Sequence, residues 1–119
     1  MLKTYEAIIQ NGQVSDRYTS IIDEIVEQIK TQITPLQIIV FGSIVRNEAK
    51  AGSDIDLLVI MPNGTHRRKT AHKLYRTIRK IDVPLDILVA TLQDLEKYQH
   101  DPSLIYHHIL QEGVEVYAA

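Results

Sequence analysis

From Ser15 to Ile33 apolar residues recur every three to four positions, a spacing that predicts an amphipathic helix. Ile21, Ile22, Ile25, Val26, Ile29 and Ile33 share its apolar side, and Asp23, Glu24, Glu27 and Lys30 lie opposite. Ser15 or Asp16 caps its start, and Thr34-Pro35 ends it. The pattern then changes to short continuous apolar runs. Leu36 to Phe41 and Asp54 to Met61 read as strands, the first closed by Gly42 and the second by Pro62-Asn63-Gly64. A third run, Val83 to Ala90, carries Pro84 near its start, which points to an edge strand or a strand beginning.

The connections complete the pattern. Ile44 to Glu48 suits a short helix and Ala51-Gly52-Ser53 a turn. Thr65 to Ile81 reads as a helix with a narrow apolar stripe of Ala71, Leu74, Tyr75 and Ile78. Thr91, with Asp94 three positions on, approximates a capping box for a helix through Tyr98. Asp101-Pro102 opens a last helix to about residue 111, Gly113 stops it, and Val114 to Tyr117 forms a closing strand. The expected architecture is one α/β domain over residues 1–119, a small mixed sheet of three to four strands flanked by helices.

Composition narrows the class. With 119 residues, 45% of them hydrophobic, and a net charge of −2, the chain can bury one real core and is too apolar for disorder. The absence of cysteine excludes disulfides, thiolate metal sites and cysteine nucleophiles. Residues Met1 to Gln13 lack the pattern of a secretory leader, and no apolar run is long enough to span a membrane. A soluble cytoplasmic protein is expected. Charge is unevenly spread: Arg67, Arg68, Lys69, Lys73, Arg76, Arg79 and Lys80 form a block without an intervening acid. Such a block is ordinarily a solvated helix face. Its functional readings are a docking surface for an acidic partner or for RNA; the partner surface is favoured, and direct binding of nucleic acid is not expected.

Three aspartates lie in or beside the strands. Side chains alternate along a strand, so Asp54 and Asp56 point to the same face. Two adjacent anions need a proton or a cation, and Mg²⁺ prefers carboxylate and phosphate oxygens. Alone, Asp-x-Asp is ordinary turn chemistry. Asp86, however, interrupts Pro84-Leu85-Asp86-Ile87-Leu88-Val89, where an unpaired carboxylate is costly. If the third strand pairs beside the second, Asp86 completes a three-carboxylate cluster. Asp82 competes for that role but sits before Pro84 and reads as a turn residue. Gly42-Ser43, at the end of the first strand, suits a phosphate cradle of backbone amides and a hydroxyl.

Phe41-Gly42-Ser43, ten residues, then Asp54-Ile55-Asp56 and a later strand aspartate resembles the nucleotidyltransferase superfamily that includes DNA polymerase beta. Within it the chain is similar to the minimal nucleotidyltransferases (MNT), antitoxins to HEPN-type ribonuclease toxins. Phe41-Gly42-Ser43-x-x-Arg46-x-Glu48-Ala49, Ser53 to Val59 and the ending from Ile109 to Tyr117 carry the resemblance. It covers about residues 36–117 and is weakest between Pro62 and Asp82. It implies a polymerase beta palm-like fold and transfer of AMP from ATP to a tyrosine of the partner HEPN toxin, with release of pyrophosphate. By similarity Asp54 and Asp56 bind two Mg²⁺ ions, while Asp86 shares one and helps deprotonate the attacking hydroxyl. Gly42 and Ser43 hold the β- and γ-phosphates, and Arg46 and Ser53 join them in the nucleotide-binding set. Arg46 has a second reading, as an ion-pair partner of Glu48 or Asp54. Asn47 stands where the family commonly has glycine, and Ile44 where a polar residue is frequent. Two other activities compete: a non-catalytic antitoxin acting by occlusion, and a nucleotidyltransferase modifying a small molecule or an RNA end. The complete set of carboxylates weighs against the first, and the short chain against the second.

Overall fold

A computed structural model describes residues 2–46 and 52–119. Its elements run β1 (Lys3–Thr4), α1 (Tyr5–Gln10), α2 (Asp16–Gln32), β2 (Gln37–Phe41), β3 (Ile55–Met61), α3 (Arg67–Thr77), β4 (Leu85–Thr91), α4 (Leu92–Tyr98), α5 (Ile105–Glu112) and β5 (Val114–Ala118). The strands form one five-stranded sheet in the order β1-β5-β2-β3-β4. β2 is antiparallel to both β3 and β5, while β3 and β4 are parallel and joined by the crossover helix α3.

Period-two alternation divides the sheet into two buried faces. On one, Leu57, Val59, Ile38, Val40 and Val89 meet Ile22, Ile25 and Ile29 of α2, Leu74 of α3 and Ile8 of α1. On the other, Leu58, Ile60, Ile39 and Ala90 meet Leu95 of α4 and Ile109 of α5. β3 is buried along its whole length except at Asp56, which is only half-buried. Asp56 belongs to the same face as Leu58 and Ile60, so the carboxylate emerges where the α4–α5 layer leaves the sheet open.

The α/β architecture agrees with the sequence pattern, with one strand more than expected. The additional strand is β1, two exposed residues that pair in parallel with β5 and carry no period to read. α1 was equally illegible: it is six residues long, buries only Ile8, and is started by Thr4 Oγ1 accepting from the Ala7 amide at 3.3 Å. α3 ends at Thr77 rather than near residue 81. Ile78 is extended and Lys80 takes a φ of 62°, as the chain turns back to enter β4. The Gln28 side chain clamps that turn, accepting from the Arg79 amide and donating to its carbonyl, both at 2.8 Å.

Other boundaries have local causes. Pro84 immediately precedes β4, and β4 is a sheet edge. Thr91 and Asp94 form the full capping box of α4. Asp101 does not start α5: its carboxylate holds the Ser103 amide at 3.0 Å and hydroxyl at 2.6 Å in the preceding turn, and Leu104 is the N-cap. Gly113 ends α5 with an ordinary φ of −69°. Its lack of a side chain matters sterically, since a Cβ there would strike the Ile109 carbonyl and come within 2.6 Å of Ile39 Cγ2. Ser43 to Arg46 make a turn, with the Arg46 amide donating to Gly42 O at 3.3 Å, in place of the expected helix start. Asn47, Glu48 and Ala51 lie outside the described residues.

Candidate active site

Sheet register assembles the acidic cluster. Phe41 of β2 is paired with Asp56 of β3, and Asp56 with Asp86 of β4, so the three lie in a row across neighbouring strands. Paired positions in a sheet share a face, which brings the Asp56 and Asp86 carboxylates together. Asp54 precedes β3 and reaches the same point. One oxygen from each of Asp54, Asp56 and Asp86 lies within 4.8 Å of the others. Asp82 is exposed in the loop before β4 and stands outside this group.

Electrostatics bear the mark of this crowding. Burial pushes the Asp56 carboxyl above its ordinary value, and the charges of Asp86 and Asp54 and a hydrogen bond to Asp86 push the same way. The Arg46 guanidinium opposes them. Clustered carboxylates of this kind suit a hard divalent cation, which would relieve the repulsion and satisfy their oxygens. The residues present therefore fit Mg²⁺.

Gly42 lies directly against this cluster with a φ of 87°. A Cβ on it would clash severely with Asp56 Oδ2, so only glycine leaves both the turn and the carboxylate intact. Gly42, Ser43, Arg46, Asp54 and Asp56 line one cleft of about 430 Å³, together with Phe41. Ser53 stands half-buried before Asp54 and is not among the cleft-lining residues. Arg46 pairs with Glu112 at 3.0 Å, a partner from the far end of the sequence.

The remaining lining comes from α5: Ile105, His108, Ile109 and Glu112. The sequence reading missed this wall. Its signal is the i, i+3, i+4, i+7 spacing, which places the four on one helix face. The basic block of α3 is exposed, although Arg67 is balanced by Asp94 of α4 at 3.3 Å and Lys73 donates to the Gln32 carbonyl at 3.0 Å.

Known proteins give the cleft a context. Residues 23–119 match the family model described as Polymerase beta, Nucleotidyltransferase. No curated protein matches the chain. Among solved structures, a candidate nucleotidyltransferase from Sulfolobus solfataricus is similar at 20% identity and a TM-score of 0.60, over 86% of this chain and 81% of that one. A toxin–antitoxin structure with AMP-PNP is similar at 18% identity and a TM-score of 0.54, over 82% of this chain and 73% of that one. At these identities the two structures speak for the fold. Among the described residues, no helix is long and apolar enough to cross a membrane.

Proposed function

Since the chain belongs to the polymerase beta nucleotidyltransferase family, we propose that it is an MNT-type antitoxin that transfers AMP from ATP to a tyrosine hydroxyl of a HEPN ribonuclease toxin. The observation that carries this reading is the meeting of Asp54, Asp56 and Asp86 beside the bare backbone of Gly42. Three carboxylates on a rigid sheet suit in-line displacement at a phosphorus, and a side-chain-free turn suits the leaving phosphates.

In this scheme Asp54 and Asp56 hold Mg²⁺, and Asp86 joins them from the edge strand. Bound Mg²⁺ supplies charge stabilisation for the attacking and leaving oxygens. The Gly42 and Ser43 backbone and the Ser43 hydroxyl hold the β- and γ-phosphates, with Arg46 supplying positive charge. Asp86, exposed on β4, receives the proton of the tyrosine hydroxyl as that oxygen bonds to the α-phosphorus and pyrophosphate departs. Because β4 is the sheet edge, a protein acceptor can reach Asp86 from the open side. The likeness to a toxin–antitoxin structure supports a toxin partner, and in this scheme the exposed cations of α3 offer it a docking surface.

The direct test supplies ATP radiolabelled at the α-phosphate to the purified protein, with Mg²⁺ and the protein encoded beside it. Label should enter a tyrosine of that partner, and label at the γ-phosphate should not. Absence of α-label on the partner, with the toxin still neutralised, would support occlusion instead.

A further inference from the structure

The cleft is chemically divided along α5. At one end of the helix face Glu112 pairs with Arg46, close to the Gly42-Ser43 turn. At the other end, seven residues or about 10 Å away along the helix, stands Ile105. It is 51% exposed, the most exposed of the large hydrophobic side chains described, and it borders the same cleft as Asp54 and Asp56. Ile109, fully buried, lies one turn further along, and Phe41 contributes from β2. An apolar wall continuous with a phosphate cradle suits the flat face of a nucleobase, which would take Ile105 out of water.

His108 sits between the two ends, and its hydrogen bonding selects a tautomer. Nε2 lies 3.0 Å from the carbonyl oxygen of Pro102. A carbonyl only accepts, so the ring donates from Nε2, and the neutral ring then carries its lone pair on Nδ1. A bare acceptor matches the amino group at C6 of adenine or C4 of cytosine and opposes the oxygen that guanine and uracil carry at the same positions.

Building on the nucleotidyl-transfer reading, we infer that the α5 face is the base-reading wall of the cleft, with Ile105 as its stacking surface and His108 selecting bases with an amino group at the purine C6 or pyrimidine C4 position, adenine and cytosine. The test is calorimetric binding of non-hydrolysable ATP, CTP, GTP and UTP analogues, and of inorganic tripolyphosphate, each with Mg²⁺. The intact protein should bind the ATP and CTP analogues about tenfold more tightly than the other two. Ile105→Asn should weaken all four nucleotides about tenfold and leave tripolyphosphate unchanged, which also shows that the fold is retained. His108→Leu should reduce the preference for adenine and cytosine to within about twofold, again with tripolyphosphate unchanged. Equal binding of all four bases, or base ratios and affinities that survive both substitutions, would overturn the assignment while leaving the triphosphate site standing. Failure of the unaltered protein to bind either nucleotides or tripolyphosphate would overturn the nucleotidyl-transfer reading as well.

Discussion

Gly42 lies so close to Asp56 that a single added carbon on residue 42 would collide with Asp56 Oδ2. The turn that ends β2 and the carboxylate on β3 are therefore one packed unit. Gly42→Ala should displace the Asp56 carboxylate and force alanine into a left-handed conformation, costing about 1–2 kcal/mol from the backbone alone. Thermal unfolding should show this loss. Affinity for Mg-ATP, measured by calorimetry, should fall by far more than so modest a destabilisation accounts for.

Crowding of like charge gives Asp56 a pH signature. Its carboxyl is raised above the ordinary 3.8, so the folded protein binds that proton more tightly than the unfolded chain does. The resulting stability is fully present below the unfolded value and is lost as pH rises through the folded one. Without Mg²⁺, melting temperature should drop as pH rises from about 4 toward neutrality, and Asp56→Asn should flatten that trend. Added Mg²⁺ should raise the melting temperature at neutral pH and do little near pH 4, where protonation competes.

Arg46 separates stability from binding. Its bridge to Glu112 is well exposed, with side chains 42% and 37% accessible, and bridges of that kind contribute about 0–1 kcal/mol. Arg46→Ala should therefore lower the melting temperature only modestly, through the lost bridge and the lost counter-charge beside Asp56. A lost charged contact to phosphate costs about 1.5–3 kcal/mol, so Mg-ATP affinity should fall roughly ten- to a hundredfold.

The capping box of α4 serves as a control remote from the chemistry. The Thr91 amide bond holds Asp94 below the ordinary carboxylate range, with further help from the Thr91 hydroxyl and the Arg67 charge. Its contribution is present above the unfolded value and disappears as pH falls through the folded one. Asp94→Ala should cost about 1 kcal/mol at neutral pH and progressively less in acid, as thermal melts across pH would record.

Much of this arrangement was legible in the sequence because its causes are local. The three-to-four-residue period of α2, the continuous apolar runs of β2 and β3, and the Thr91–Asp94 cap each announce an element. Asp86 could be singled out because a carboxylate inside an apolar strand demands a partner, and parallel pairing of β3 with β4 places Asp56 beside it. What escaped depends on long-range packing. Glu112 meets Arg46 across 66 positions of sequence, and Ile105 and His108 face the cleft only because α5 lies over the open side of the sheet. The two residues of β1 are held by pairing with β5, which no local pattern encodes.

The most direct measurement is the intact mass of the partner protein after incubation with this chain, ATP and Mg²⁺, compared with incubation with Asp56→Asn. The unaltered chain should add mass in increments of one AMP, mapped to tyrosine, and the folded Asp56→Asn protein should add none. A partner that stays unmodified by the intact protein, or is modified equally by both, would contradict a catalytic role for the Asp54–Asp56–Asp86 cluster.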